Sequence, residues 1–317
     1  MKNTFIILIL SFACHSSYVA QCCGGCNPIG GNTNQGTLPK FMLQINTYLK
    51  HGYSEGYMQN DSPSNFKFVK NANNDYVGMQ LGYGIFNKLT AEVEFGYYIN
   101  RTQNFQIQTY NYVLNGYGGS SITLSTKYNL IKDTAKDIEF TVGVGVKMPW
   151  SKQQQIVNGV VLTEDVQPSN GAYGLVIRSF LFKAYDRTNV KLFLMNSISI
   201  NGTSNNNYKE GNTYLTSLFA SKTFKTNWTG ILQLRNEIRD YAYRDAIKVA
   251  SSGGYRFLLI PQINYSIKKK YNISVLYELP IYQYYYGIQL KDQYAFSVNL
   301  NIRLGLSKKA NENCIKP

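Results

Sequence analysis

The chain has 317 residues, of which 44% are apolar and only 16% are charged, against about 25% charged residues in an average soluble domain. Lysine and arginine number 32 against 18 aspartates and glutamates, which gives a net charge of +14. After an apolar N-terminal run, no segment approaches the ~18 apolar residues of a spanning helix, which excludes a polytopic helical membrane protein. Tyr, Phe, Val, Ile and Leu are abundant throughout the chain after residue 40, which excludes disorder.

The N-terminus predicts export. Lys2 and the apolar run from Thr4 to Leu10 are typical of a secretory signal peptide, and Ala20 offers a cleavage site before Gln21. We therefore predict a signal peptide at residues 1–20. A lipoprotein with Cys14 as acceptor is the weaker alternative, because the preceding residues lack the usual aliphatic side chain.

Cleavage leaves four cysteines in an oxidising compartment: Cys22, Cys23, Cys26 and Cys314. Disulfide bonds that fix the N-terminal segment, with Cys314 joined to one of the other three, are the simpler interpretation. A metal site or a thiol-exchange pair in the C-x-x-C is the alternative. It is weaker because the chain has no second C-x-x-C and His51 is the only mature histidine. We predict neither a metal nor a cofactor.

After the predicted signal peptide, the composition of the chain changes at residue 21 and again at residue 40. Residues 21–39 are rich in Cys, Gly and Asn and predict an N-terminal plug or linker. Between residues 40 and 305, apolar residues alternate with small or polar ones, which is typical of half-buried β-strands. Ten segments alternate clearly. Two more, 171–183 and 212–223, have a less certain phase, which makes twelve strands.

The connections predict the architecture. Long polar connections at 52–72, 101–115, 150–169, 201–211, 241–252 and 282–291 alternate with short ones. We therefore predict an all-β fold: an antiparallel up-and-down transmembrane β-barrel of about twelve strands at 40–305, with short periplasmic turns, long extracellular loops and a periplasmic tail at 306–317. A soluble sandwich is less favourable, because the second strand face is too polar to form a core. Aromatic residues near strand ends fit interfacial girdles: Tyr97, Tyr128, Trp150, Phe224, Trp228, Tyr271 and Tyr284 to Tyr286.

The residues between the apolar ones are expected to line the lumen. Nine of them are basic and five acidic: Lys50, Lys127, Lys147, Arg178, Lys191, Arg235, Arg239, Arg256 and Arg303; Glu92, Glu94, Glu139, Glu237 and Glu278. Glu92, Lys127 and Glu139 fall near the periplasmic ends of successive strands and are expected to form an ion ladder.

Two interpretations of this lumen stay open. The lumen glycines predict an open wall: Gly78, Gly82, Gly84, Gly96, Gly143 and Gly145. Basic residues on the facing wall would favour anionic or polar solutes: Arg178, Arg235, Arg239 and Arg256. With Glu94 and Glu278, those four arginines are the candidate substrate-binding residues. Alternatively, the charges neutralise one another and fill a narrow barrel.

No catalytic residues are predicted. His51 and Ser54 are three residues apart at a strand end, so they are expected to point to opposite faces. Glu92 and Glu94 point the same way, but a nearby lysine makes an ion pair the simpler interpretation. We therefore expect a protein that is not an enzyme.

Over residues 40–305 the strand pattern resembles Gram-negative outer-membrane channels, and among them the putative phenol-degradation meta-pathway transporters related to the long-chain fatty-acid transporters. Cys22-Cys23-Gly24-Gly25 also looks like the start of outer-membrane proteins of the Bacteroidetes, and Asn27-Pro28 is similar to the hatch motif of the fatty-acid transporters. The resemblance implies diffusion of small, often hydrophobic or aromatic molecules through a barrel whose N-terminal segment acts as a hatch.

We predict an outer-membrane channel for passive or facilitated transport of small solutes, anionic or aromatic ones among them. The alternative is a closed barrel that serves as a surface-interaction or structural protein. The expected partners are outer-membrane lipid, a small-molecule solute and the barrel-assembly machinery that the fold implies. Nucleic acid is not expected, because much of the positive charge falls in periplasmic turns and the tail: Lys88, Lys132, Lys136, Lys225, Lys268 to Lys270, Lys308, Lys309 and Lys316.

Overall fold

The computed structural model describes residues 36–107, 110–225, 227–268 and 270–306. The predicted signal peptide, the four mature cysteines, most of the predicted plug and nearly all of the predicted tail lie outside these residues. In the described part of the chain, no helix is long and apolar enough to cross a membrane.

The described residues form β-strands and one 3-10 turn at Asp186–Thr188. In chain order the strands are β1 (Met42–Asn60), β2 (Ser62–Ser64), β3 (Val69–Phe86), β4 (Leu89–Ile107), β5 (Tyr110–Asp133), β6 (Ile138–Pro149), β7 (Ile156–Val157), β8 (Val160–Val161), β9 (Gly174–Tyr185), β10 (Val190–Asn201), β11 (Tyr208–Lys209), β12 (Thr213–Lys225), β13 (Trp228–Arg239), β14 (Tyr243–Arg244), β15 (Ile247–Lys248), β16 (Gly254–Ile267) and β17 (Tyr271–Gly305).

Eleven of these elements form a closed antiparallel ring, and β2 is bonded to β1 outside it. The ring order is β1, β3, β4, β5, β6, β9, β10, β12, β13, β16 and β17, and β17 returns to pair with β1. The closing register begins at Met42 opposite Gly305 and continues to Asn60 opposite Tyr285. The predicted antiparallel barrel is therefore confirmed.

The last element crosses the barrel wall twice. Its 35 residues would extend for about 115 Å at ~3.3 Å per residue. Residues 271–285 pair antiparallel with β16, and residues 285–305 pair antiparallel with β1. Since β16 and β1 run in opposite directions, β17 must reverse, and it does so beside Gly287, whose φ is +70°. The two legs of this hairpin bring the wall to twelve crossings.

The outer surface of the ring carries the apolar face of every strand. Exposed aliphatic residues on it include Leu49, Leu124, Val144, Ile177, Leu218, Leu232, Val275 and Leu300. Tyr128, Phe224, Trp228 and Tyr271 are exposed near the periplasmic turns, and Tyr97 and Trp150 near the outer ends, as interfacial girdles require. Tyr285 departs from the prediction: its ring is buried and its hydroxyl donates to Gln283 inside the barrel.

The wall is taller on one side than on the other. β5 has 24 residues, whereas β6, β9, β10 and β13 have 12 each, and about ten residues suffice to cross the membrane. Three segments predicted as long loops, 52–72, 101–115 and 282–291, are therefore mostly strand. The loop at 150–169 contains the β7–β8 hairpin, and 201–211 and 241–252 contribute β11, β14 and β15 to a small second sheet. These strand ends extend above the membrane into water, where neither face needs to be apolar. The alternation that marks a strand in the sequence is therefore missing there.

The glycines predicted to open the lumen wall instead receive neighbouring groups. A Cβ added at Gly78 would lie 2.1 Å from the Tyr48 ring, and one at Gly96 would lie 1.7 Å from the Tyr76 hydroxyl. At Gly84 the added atom would lie 2.0 Å from the Pro39 carbonyl oxygen. The expectation of an open glycine wall is therefore wrong at these positions, because their missing side chains make room for tyrosines and for the entering chain.

Replacing Gly78 by alanine tests this packing. The added methyl must displace the buried Tyr48 ring, and overpacking of this kind costs about 1–3 kcal/mol of unfolding free energy. Gly230→Ala is the matched control, since its Cβ would meet only Phe224 at 3.4 Å. Urea unfolding of the refolded barrels, followed by tryptophan fluorescence, measures both. Equal stability of the two variants would contradict the close packing of Tyr48 on Gly78.

Candidate functional site

The lumen is the candidate site, and its periplasmic half is lined by amides and hydroxyls on one wall. β16, β17 and β1 turn buried polar side chains inward there: Gln44, Asn46, Gln262, Asn264, Asn272, Ser274, Ser297, Asn299 and Asn301. Asn264 Oδ1, Asn272 Nδ2 and both side-chain polar atoms of Asn301 have no hydrogen-bond partner among the described residues. Buried polar atoms of this kind are normally satisfied by water or ligand, so this wall can bind polar groups.

Two buried ion pairs lie in the lumen, one between neighbouring strands and one between strands that are not adjacent. Lys127 Nζ lies 3.0 Å from Glu92, as the sequence pattern predicted. Arg178 Nη2 donates to Glu94 at 2.9 Å, and their side chains are 13% and 16% exposed. Because β5 and β6 separate the strands of this second pair, the contact spans the lumen. Glu139 does not join the predicted ladder and instead accepts a hydrogen bond from Asn129 at 2.7 Å.

A second set of charges forms an arc at the outer half of the lumen, on β13, β16, β17 and β1. Glu278 accepts from Lys50 at 2.9 Å and from Arg235 at 3.3 Å. Glu237 pairs with Arg256 at 2.7 Å and with Arg239 at 3.4 Å. Arg256 also pairs with Asp292, which lies just past a predicted loop and was missed. The arc thus joins four cations to three carboxylates: Lys50, Arg235, Arg239 and Arg256; Glu237, Glu278 and Asp292.

The predicted substrate-binding residues therefore fall into two groups. Arg178 and Glu94 pair with each other in the middle of the barrel, whereas Arg235, Arg239, Arg256 and Glu278 belong to the outer arc. The sequence pattern placed all six on the inward face, but contacts across the lumen join residues that are far apart in the chain.

An aromatic cluster on β9, β10, β12 and β13 escaped the sequence analysis. Phe180, Phe193, Met195, Phe219 and Ile231 pack together inside the barrel, and Phe219 is fully buried. A cavity of only about 10 Å³ lies between this cluster and Lys127 and Arg178, which is room for about one water molecule. Apolar side chains and a guanidinium therefore adjoin at this cavity.

The chain that precedes β1 enters the periplasmic end of the lumen. The Leu38 backbone amide donates to Thr90 Oγ1 at 2.7 Å, and the Thr37 amide donates to Glu139 at 3.3 Å. Leu38 is buried. Since Thr90 and Glu139 lie on β4 and β6, residues 37 and 38 extend inward across the opening.

Loops cover the outer end. Leu162 and Val166 are 1% and 0% exposed and pack on Val69, Phe105 and Leu114 of the tall wall. Arg101 Nη1 donates to the Gln167 carbonyl at 2.7 Å. This outer cap was not predicted, because its apolar contacts lie in a segment that is polar overall.

Glu164 joins the three loops of the cap. Its Oε1 accepts from Gln154 at 3.0 Å, from Asn206 at 2.9 Å and from Arg244 at 3.1 Å. Burial raises the pKa of Glu164, and these three donors only partly offset that effect. The carboxylate therefore fixes the relative positions of the loops at the cost of its own desolvation.

The remaining candidates from the sequence lie apart. His51 Nδ1 lies 2.6 Å from Asp75 in the outer girdle, near the Phe296 ring. Ser54 donates to Asp292 at 2.8 Å on the lumen side. His51 and Ser54 therefore point to opposite faces of the wall, as predicted. In the described part of the chain, no three His, Cys, Asp or Glu side chains group as metal ligands would.

No protein-family model matches the chain, and no curated protein does. Among solved structures, the chain is similar to an outer-membrane channel from Pseudomonas putida F1, with a TM-score of 0.67 and 10% identity over 86% of this chain and 99% of that one. The NanC porin gives a TM-score of 0.47 at 8% identity over 81% and 100% of the two chains, and the KdgM porin 0.43 at 10% over 82% and 98%. At 10% identity the first likeness shows a shared fold and transfers no residue role. The predicted outer-membrane localisation is confirmed, because a closed barrel with an apolar outer belt is the fold of that membrane.

Removing Arg178 should destabilise the barrel strongly. Arg178→Met leaves the Glu94 carboxylate buried without its main counter-charge, and losing one partner of a buried pair costs about 3–5 kcal/mol. The double variant with Glu94→Gln should recover most of this loss. Urea unfolding measures it, with Lys88→Gln, exposed in the turn between β3 and β4, as a control expected to change stability by less than ~1 kcal/mol. A double variant no more stable than Arg178→Met would contradict the pairing.

The packing of the loops should depend on pH through Glu164. Since packing raises its pKa, the packed loops bind the proton more tightly than separated loops do. The contribution therefore favours packing at low pH and is lost as pH rises through the raised pKa. Limited proteolysis of loop 150–169 between about pH 4 and about pH 7 should show protection that falls with pH, and Glu164→Gln should flatten the curve. Protection that rises with pH would contradict this sign.

Proposed function

We propose that this protein is an outer-membrane channel for small solutes and that it prefers anions, including those with an aromatic body. The carrying observation is the outer arc, in which four cations face three carboxylates on the lumen side of the wall. A pore lined by an excess of one charge selects solutes of the opposite charge. The chemistry is binding and passage, and the proposal includes no catalytic step.

The wall below the arc supports a polar path. The inward amides and hydroxyls of β16, β17 and β1 offer donors and acceptors to a passing solute, and several have no partner among the described residues. On the other side, Phe180 and Met195 line the cavity next to Arg178 and present apolar atoms to it. An amphipathic anion can therefore place its charge and its apolar body on different walls.

Passage requires movement of the chain that precedes β1. The cavity beside Arg178 has room for about one water molecule, and the Leu38 segment lies across the periplasmic opening. We include in the proposal that this segment moves to open the channel, as the hatch of the resembled transporters implies. Kinship with the phenol-degradation and fatty-acid-transporter-like group is part of the same proposal and rests on the strand pattern. Dependence on the barrel-assembly machinery is also proposed, from the fold.

Planar bilayers test the proposal directly. The purified protein should conduct, and a salt gradient should give a reversal potential of anion-selective sign. Arg256→Gln should shift that potential toward cation selectivity, because Glu237 and Asp292 lose a shared counter-charge. Lys132→Gln, exposed at the periplasmic end of β5, is the control and should leave selectivity unchanged. Absence of conductance in the presence and absence of residues 21–39 would contradict the channel.

One observation favours the alternative of a closed surface-interaction protein. Four apolar side chains are exposed beyond the outer girdle: Phe66 and Phe68 in the connection between β2 and β3, and Tyr112 and Val113 near the outer end of β5. Exposed aromatic residues of this kind mark interaction sites. Under this alternative the barrel does not conduct, and Phe66→Ser with Phe68→Ser abolishes attachment of cells to a surface while leaving permeability unchanged.

A further inference from the structure

Three short strands form a small sheet at the outer end of the barrel. β11 pairs with β14 and β14 pairs with β15, so that Lys209 lies opposite Tyr243 and Tyr243 lies opposite Lys248. An isolated bridge places Thr203 beside Lys209. Because directly paired residues point to the same face of a sheet, the side chains of these four residues form one row.

The two faces of this small sheet have different surroundings. Tyr208 and Arg244 are the neighbouring paired residues, so they point to the other face. There Arg244 pairs with Glu164 at 3.1 Å and lies 5.5 Å from the centroid of the Tyr208 ring. That face is joined to the outer cap, and the face that carries Lys209 and Tyr243 is turned away from it.

A cavity of about 620 Å³ lies on the Lys209 and Tyr243 face. This volume falls within the ~300–1,000 Å³ that is typical of small-molecule sites. The cavity is lined by Thr203, Asn207, Lys209, Tyr243, Asp245 and Ala246. Residues from all of the loops that form the sheet therefore meet around one space.

The turn between β14 and β15 fixes the acidic part of the cavity wall. Asp245 and Ala246 make the whole connection, and their φ angles are 51° and 62°. A two-residue turn with positive φ at both positions is a type I′ hairpin turn, whose twist matches that of its strands. Asn207 Nδ2 donates to Asp245 Oδ1 at 3.0 Å. The carboxylate is thereby held in place, and its second oxygen can accept from a ligand.

The cavity wall offers donors, acceptors and an aromatic surface together. Lys209 supplies an ammonium donor and Asp245 a carboxylate acceptor, and Asn207 and Thr203 each carry both functions. The Tyr243 ring is 40% exposed and has a hydroxyl at its tip. Among the described residues, neither the Lys209 ammonium nor the Tyr243 ring has a partner. Both are therefore available to a ligand.

From this cavity we infer a binding site for a neutral saccharide that reaches the protein from outside the cell. Sugar hydroxyls both donate and accept, so they use Asp245 together with Lys209, and the C–H face of the sugar ring packs on Tyr243. A simple anion would meet the Asp245 carboxylate, a simple cation would meet the Lys209 ammonium, and an apolar ligand would leave both groups unpaired. The site is separate from the proposed transport and does not require that the channel conducts.

Saturation-transfer NMR tests the site with four neutral disaccharides: maltose, cellobiose, lactose and melibiose. The protein is solubilised in an amine-oxide detergent, because the headgroup of a maltoside detergent would itself compete for the site. At least one of the four should bind, and Tyr243→Ser should weaken its binding about tenfold, as loss of a central aromatic contact does. Tyr117→Ser is the matched control, since Tyr117 is 51% exposed on β5 and does not line the cavity. Binding of none of the four, or equal weakening by both variants, would overturn the inference.

Two further variants keep the test decisive if Tyr243→Ser perturbs the sheet. Asp245→Asn retains a residue that suits positive φ in a type I′ turn, but it removes the charged acceptor and should weaken binding severalfold. Lys209→Gln shortens the donor and removes its charge, and it should have a similar effect. Acetate and tetramethylammonium should not displace the bound disaccharide at equal concentration. Unchanged binding in both variants, or displacement by either ion, would overturn the neutral-saccharide site.

Discussion

Closure of the sheet is the constraint on which the other features depend. In hydrocarbon every backbone amide and carbonyl must be paired within the protein, and the pairing of β1 with β17, from Met42 opposite Gly305 onward, removes the last open edge. Because side chains alternate along a strand, closing the ring with the apolar face outward obliges every intervening residue to face the lumen. The composition of the lumen therefore follows from the membrane outside as much as from any solute inside.

The arrangement of the lumen charges follows from that enclosure. An isolated charge at a lumen position would lose much of its hydration, so the charges occur in pairs such as Lys127 with Glu92 and Arg178 with Glu94. Such pairs add little net stability compared with apolar packing, but leaving one member alone is costly. These pairs are therefore permanent parts of the wall. In the proposed channel, the one extra cation of the outer arc gives the solute path its positive potential.

The sequence predicts the features that contact with lipid imposes. It misses the contacts across the lumen and the strands that extend above the membrane. Period-two alternation located the wall, its inward residues and the neighbouring pair Glu92 and Lys127. It could not foresee the contact of Arg178 with Glu94, since no local pattern encodes a contact across the lumen.

The uncertain phase of segments 171–183 and 212–223 has a physical cause. Their inner faces carry Phe180 and Phe219, so both faces of these strands are apolar. Above the membrane the alternation loses its apolar side, which is why strand was taken for loop.

Closure of the sheet also separates the residues that would select solutes from the segments that can move. A wall residue such as Arg256 is held by strand register, and shifting it would break ladder hydrogen bonds on both sides. The segment at Thr37 and Leu38 is held across the lumen by single hydrogen bonds from its backbone amides. The outer loops are held by side-chain contacts such as those of Glu164 and Val166. Free energies of opening are lowest where few backbone hydrogen bonds must break. In the proposed channel, selectivity therefore resides in the wall, and opening resides in the two segments that close its ends.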